Sequence, residues 1–263
     1  MPKKALGQHF LTDKSATARL ADALPVDTLR AVLELGPGKG ALTAALLDRG
    51  YGVTAIELDQ ELIPGLQWQF KGRRLNLIAG NMLDVDLAAL GAGPWRVFGN
   101  LPYNIATEVF MRLLAQRQHI EAMVLMFQKE VADRLAAAPN TEAFGTLSVW
   151  AGLHCEVRRV AVLPPGAFWP RPKVHSTVLL FKILPKPCFD YGTEKALHQI
   201  VRGAFGLRRK MLRNSLAQTV AQEQVPGLLT QCGIDGQRRG ETLSLEEFAR
   251  LSKAVSEAAV VGS

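Results

Sequence analysis

The sequence predicts an α/β domain on a parallel sheet, followed by a small all-helical domain, and three observations carry this. From about residue 15 to 185, short apolar runs rich in β-formers alternate with amphipathic helical patterns, as in a parallel sheet covered on both faces. The rhythm then changes: residues 155–162 and 176–183 are strand-like segments joined by a Pro-rich loop with no helix between them, which fits an antiparallel pair closing the sheet. Beyond Leu184-Pro185-Lys186-Pro187 only helical patterns remain. The predicted division is therefore 1–185 and 186–263.

In order, the predicted strands are 31–35, ending in glycines, then 53–57, 75–79, 96–98 and 123–128, with helical patterns at 41–47 and 107–114 between them. In the second domain the helical patterns are 194–205, 210–219 and 245–256. Ser244 is placed to cap the last of these, with Glu247 at the capping-box position. No internal repeat or low-complexity tract is visible.

The chain has 263 residues, 48% of them hydrophobic. It carries 31 Lys and Arg against 24 Asp and Glu, a net charge of +7, which points weakly to a polyanionic partner. Cys155, Cys188 and Cys232 lie far apart without a CxxC, so reduced thiols are expected, with neither a disulfide framework nor a zinc site. No apolar run approaches the ~18 residues of a membrane span. Lys3 and Lys4 are followed by Asp13 and Lys14 before any signal-peptide core forms. A soluble, cytoplasmic protein without a metal is expected.

The first strand leads into Glu34-Leu35-Gly36-Pro37-Gly38-Lys39-Gly40. Glycines at alternate positions let backbone turn tightly and approach a ligand closely. Dinucleotide enzymes carry a similar turn. Here the spacing is GxGxG, and Glu34 would repel a pyrophosphate while tolerating the ammonium of a methionine moiety. The second strand ends at Glu57, about 20 residues on, where a carboxylate can bind two ribose hydroxyls. Asp59 is read as a helix N-cap. Asn81, directly after the third strand, is the choice for the adenine amino group, with Asp84 a turn or cap residue. The fourth strand runs into Asn100-Leu101-Pro102-Tyr103. An exocyclic adenine amine is a poor nucleophile because its lone pair is delocalised. The Asn100 side-chain oxygen and a backbone carbonyl turned outward by Pro102 can accept its hydrogens and draw that lone pair out of conjugation. Tyr103 offers a face for an unstacked base. A plain Asn-Pro turn at a strand end is the alternative reading.

Taken in order, these segments resemble the KsgA-type ribosomal RNA adenine dimethyltransferases along nearly the whole chain. The resemblance is carried by residues 4–11 (KALGQHFL), GPGKGALT, IELD, FGNLPYNI, residues 127–135 (FQKEVADRL), GTLSV at 145–149 and residues 164–174 (PPGAFWPRPKV). Ala204-Phe205, Arg208-Arg209-Lys210 and residues 213–216 (RNSL) match as well. The resemblance implies a Rossmann-like, seven-stranded class I S-adenosylmethionine-dependent methyltransferase domain with an all-helical C-terminal domain. It implies N6,N6-dimethylation of two adjacent adenines near the 3′ end of 16S rRNA, on an immature 30S subunit. Cofactor contacts carried across fall on His9, Leu11, Gly36, Glu57, Asn81 and Asn100, with Gly38 in the same glycine turn; base contacts fall on Asn100, Leu101, Tyr103 and Phe168. Two positions depart from the common pattern: Asn81 stands where Asp is frequent, and His9 where Asn is.

Phe168 is expected to face Tyr103 with the flipped base between them, the alternative being a core anchor for its loop; Trp169 is expected to pack. His154, His175 and His198 are expected to be structural. From Lys195 to Ser215 there are six basic residues, Lys195, Arg202, Arg208, Arg209, Lys210 and Arg213, and no acid, which favours phosphate contacts. Lys3, Lys4, Arg171 and Lys173 could extend that patch. A monomer is expected. Rival readings are the large-subunit enzyme of the erythromycin-resistance type, a non-catalytic ribosome-assembly factor, and a nicotinamide-dependent oxidoreductase.

Overall fold

The computed structural model describes residues 8–25, 31–91, 93–207 and 209–261. Lys3, Lys4 and Arg208 lie outside the described residues. The chain divides into two compact units, one of residues 1–132 and 156–185, the other of 133–155 and 186–263. The boundary after residue 185 coincides with the linker. The segment 133–155, which the sequence reading placed in the first domain, is corrected to the helical unit. Its hydrophobic residues pack there: Phe144 meets Phe205 and Phe248, at centroid separations of 6.1 and 6.3 Å.

In the first unit, β1 (Phe10–Leu11) and α1 (Lys14–Ala21) precede the sheet. There follow β2 (Ala31–Leu35), α2 (Ala41–Asp48), β3 (Gly52–Glu57), α3 (Ile63–Gln69), β4 (Leu75–Ala79), β5 (Trp95–Asn100), α4 (Ala106–Ala115) and β6 (Ile120–Gln128). The chain then passes through α5 (Lys129–Leu135) and, in the second unit, α6 (Thr146–His154), and returns to the first with β7 (Cys155–Leu163), β8 (Phe168–Trp169) and β9 (Ser176–Ile183). The seven-stranded sheet has the order β4-β3-β2-β5-β6-β9-β7. Pairings from β4 through β6 are parallel, and β9 joins β6 antiparallel, with Ser176 opposite Gln128 and Lys182 opposite Ala122.

Burial follows position. Every residue of β3 is buried, as for a central parallel strand roofed on both faces, whereas edge strand β7 is buried only at its two ends, Cys155 and Leu163. The core beneath gathers Leu20, Leu46, Tyr51, Val124 and Leu180. Strand order reverses at β2: the chain leaves β4 on one side and returns at β5 on the other. Such a reversal opens a crevice at the carboxyl ends of the strands.

The second unit completes itself with α7 (Glu194–Gly206), α8 (Leu212–Leu216), α9 (Val225–Gln231) and α10 (Leu245–Val261). The predicted cap of α10 is present. Glu247 N–H donates to Ser244 Oγ at 3.1 Å, and Ser244 N–H to a Glu247 carboxylate oxygen at 2.8 Å. The helix expected over 210–219 is shorter, and α9 was not anticipated. The three thiols are free, Cys155 and Cys232 buried and Cys188 exposed. Among the described residues no helix is long and apolar enough to cross a membrane.

Candidate active site

A cavity of about 250 Å³ lies in the crevice. Its lining brings together His9, Leu11, Gly36, Gly38, Glu57, Asn81, Asn100, Leu101, Pro102 and Tyr103, residues spread over 95 positions of sequence. Apart from His9 and Leu11, which come from β1 and the residue before it, each comes from a strand's carboxyl end or from the loop beyond it, so the parallel sheet does most of the gathering.

The glycine turn after β2 has left-handed backbone at Gly36 and Gly38, with φ of +68° and +58°. A Cβ on Gly38 would sit 3.0 Å from the Phe10 ring, so the turn is held bare by conformation and by contact. Gly38 N–H donates to one Glu57 carboxylate oxygen at 2.9 Å and Asp59 N–H to the other at 2.8 Å. Backbone donors thus fix a buried carboxylate on the cavity wall, and each oxygen keeps a second lone pair. Asp59 caps the turn that precedes α3 rather than the helix itself: its side chain accepts from Glu61 N–H at 3.2 Å, whereas the N-cap of α3 is Leu62.

Glu34 is 1% exposed and lines the same wall. Burial pushes its carboxyl up to about 7; the Thr43 hydroxyl, donating at 2.7 Å, pulls against that, and nearby Glu57 adds to it. The folded chain therefore holds this proton more tightly than the unfolded one. The resulting stabilisation is complete below pH 4.5 and is lost as pH rises through 7, a change of about 3 kcal/mol. Glu34→Gln is expected to raise the melting temperature at pH 8 and leave it nearly unchanged at pH 4.5, while weakening the binding of a ligand that brings an ammonium to this wall. Melting curves with and without S-adenosylmethionine across that pH range read both effects.

Asn81 leads the turn after β4. Its oxygen accepts from Leu83 N–H and its amide nitrogen donates to an Asp84 carboxylate oxygen, both at 3.1 Å. Asp84 is a turn residue, as expected. An aspartate at 81 would set two carboxylates against each other. Asn81→Asp alone is therefore expected to gain little affinity for S-adenosylmethionine, whereas Asn81→Asp with Asp84→Asn binds it more tightly than either single variant; calorimetric titration decides.

Asn100 ends β5, and its amide nitrogen donates to the His9 backbone carbonyl at 2.9 Å. That carbonyl can only accept, so the nitrogen must face it and Oδ1 is the free end. His9 Nδ1 donates to the Pro170 carbonyl at 2.8 Å for the same reason. The His9 ring stacks on Tyr103, with centroids 5.4 Å apart and planes at 27°. The Tyr103 hydroxyl meets Ser176 Oγ of β9 at 2.6 Å. Burial pushes the Tyr103 phenol up while that contact lowers it, so the ring stays neutral near neutral pH.

Phe168 does not line the cavity, which corrects the expectation that it faces Tyr103. β8 pairs with β1, placing Phe168 opposite Leu11 and Trp169 opposite Phe10. Phe168 is 2% exposed within the core, while Trp169 is 51% exposed. The Lys39 ammonium lies 5.1 Å from the Phe10 centroid and 4.9 Å from that of Trp169, a cation–π contact the sequence did not reveal. Also unforeseen were Leu58, exposed beside Glu57, and Met82 beside Asn81, both on the cavity lining. Each is an apolar residue next to a polar strand-end residue, which is the signal that could have found them.

Of the expected structural histidines, His154 is one: its Nδ1 donates to the Trp150 carbonyl at 2.9 Å, and Nε2 meets the Tyr191 hydroxyl at 3.1 Å. His175 and His198 are exposed. Lys195, Arg202, Arg209, Lys210 and Arg213 are all exposed on the second unit.

A bare glycine turn, a buried carboxylate fixed by backbone donors and an acidic wall at the switch point fit S-adenosylmethionine, and fold and site together define a class I methyltransferase. Residues 2–257 match the family model described as ribosomal RNA adenine dimethylase. The chain is 46% identical to ribosomal RNA small subunit methyltransferase A of Geobacter sulfurreducens, over 96% of this chain and 95% of that one. It is 42% identical to the protein of that name from Syntrophotalea carbinolica, over 97% of each. Among solved structures it is similar to a dimethyladenosine transferase from Plasmodium falciparum, with a TM-score of 0.83 at 22% identity over 95% of this chain and 98% of that one. It is also similar to the 23S rRNA methyltransferase ErmE, at 0.70 and 24% over 93% and 98%; at such identities these two speak to the fold alone. The chain belongs to the ribosomal RNA adenine dimethylase family, S-adenosylmethionine-dependent enzymes that act on ribosomal RNA.

Proposed function

We propose that this protein dimethylates N6 of two adjacent adenines in the 3′-terminal hairpin loop of 16S rRNA, acting as a cytoplasmic monomer on the immature 30S subunit and contributing to its biogenesis. The observation that carries the reading is the commitment of the Asn100 amide nitrogen to the His9 carbonyl, which leaves Oδ1 as the acceptor end of a residue lining the same cavity as Tyr103.

S-adenosylmethionine supplies a methyl group already bonded to a good leaving group. Glu57 holds the ribose, Asn81 meets the cofactor adenine, and the turn at Gly36 and Gly38 admits the chain of the methionine moiety past Glu34. His9, just before β1, and Leu11 within it close the wall. Asn100 Oδ1 and the Leu101 carbonyl accept the hydrogens of the target amine, so its lone pair leaves conjugation as attack begins. This stabilisation is aimed at the transition state. Pro102 holds the turn: its own carbonyl accepts from Ile105 N–H at 3.1 Å, at the start of α4. Tyr103 supports the flipped base. The amine proton becomes acidic only once nitrogen carries the new bond, so water can take it and no strong base is required. Lys195, Arg202, Arg209, Lys210 and Arg213 contact phosphates, which position RNA without reading its sequence.

The test is incubation of undermethylated 30S subunits and of 50S subunits with labelled S-adenosylmethionine. Label in two adjacent adenines of 16S rRNA is expected; label only in the 50S particle overturns the substrate assignment.

A further inference from the structure

We propose that the second unit holds a separate seat for one unstacked nucleotide of the substrate RNA, in the groove between α6 and α7; this rests on ribosomal RNA being the substrate. The groove encloses about 290 Å³. One wall is a single face of α7: His198, Arg202, Phe205 and Gly206 recur at helical spacing. The other is Thr146 and Trp150, one turn apart on α6.

Its composition is that of a nucleotide site. The floor is aromatic and the rim is cationic or hydroxylic. Phe205 is half-buried; it stacks on Phe248, with centroids 5.5 Å apart and planes at 21°, and still lines the groove. Trp150 is buried and stacks on His154, with centroids 5.6 Å apart and planes at 11°, so each aromatic group has a ring partner and Phe205 is the more accessible of the two. Arg202, His198 and Thr146 are exposed at the rim. Among the described residues no acid lines the groove, and the sequence has none from 195 to 215. An acidic peptide would find cations here, but a planar base over an aromatic floor with its phosphate on Arg202 uses both halves of the site. His198 is exposed and lines the groove, so it is not the buried structural histidine that was expected. Lys195, seven residues before Arg202 on the same helix, extends the cationic face.

Phe205→Ala would also disturb the stack with Phe248, so the test uses exposed rim positions. Arg202→Glu reverses the charge at the phosphate. Thr146→Trp fills the groove and removes no charge. Arg250→Glu, at an exposed position of α10 outside the groove, makes the same charge change elsewhere on the unit. Binding to undermethylated 30S subunits is measured for each full-length protein, together with affinity for S-adenosylmethionine and the melting temperature. Both groove variants are expected to weaken 30S binding about tenfold, with the other two readouts unmoved and Arg250→Glu much less affected. Crosslinking of the wild type to 30S subunits carrying 4-thiouridine is expected to label residues 194–206 with RNA.

Thr146→Trp binding like wild type, Arg202→Glu losing no more than Arg250→Glu, or crosslinks from this helix to a ribosomal protein would each overturn the seat. Failure of the wild type to methylate 30S subunits at all is a different result, and it overturns the substrate reading instead.

Discussion

Asn100→Ala is expected to lower the single-turnover rate of methyl transfer roughly 100- to 1,000-fold, the usual cost of removing a prearranged polar group aimed at developing charge. The alanine removes the Oδ1 acceptor and also the 2.9 Å bond to the His9 carbonyl. The two losses separate experimentally. The acceptor is used in the transition state, so it shows in the chemical step with cofactor and RNA saturating. The His9 tie shapes the cavity wall, so it shows as a few-fold loss of S-adenosylmethionine affinity. A full-rate alanine variant would remove Asn100 from the reaction.

Tyr103→Ala comes next, with an expected loss of roughly 10- to 100-fold in turnover, the scale of one base–aromatic stack. Affinity for S-adenosylmethionine should hold, because the ring supports the target base. Tyr103→Phe keeps the face and loses only the 2.6 Å contact with Ser176; its loss should stay near tenfold or below. Rapid-quench turnover and calorimetric cofactor titration on the same preparations check both variants. A collapse of cofactor binding in Tyr103→Ala would show that the ring serves the cavity wall and not the base.

Gly36, Glu57, Asn81 and Asn100 were legible because each interrupts or ends an apolar run, and a parallel sheet carries all such interruptions to one edge. The capping box of Ser244 and Glu247 was legible because it is local. Helix α6 was hidden: Val149, Trp150, Ala151 and Leu153 are consecutive or nearly so, and a helix buried over most of its surface leaves no polar stripe to count. Its membership of the second unit depends on contacts such as Phe144 with Phe248, which no local pattern encodes. Phe168 and Trp169 were exchanged for another reason. Alternation says that neighbours in a strand face opposite ways, but its phase is set by the partner, here Leu11 opposite Phe168. The charge state of Glu34 was equally out of reach, since burial sets it.

The bond from Asn100 to His9 spans 91 positions of sequence. A carboxamide is almost the same shape either way round, so nothing about the size of its niche dictates which end looks inward. That choice is delegated to the main chain of the amino-terminal arm, which thereby acts as a compass for a group it follows only in space. Shortening this arm would leave the Asn-Leu-Pro-Tyr loop chemically complete and yet free to present a hydrogen where an electron pair is wanted.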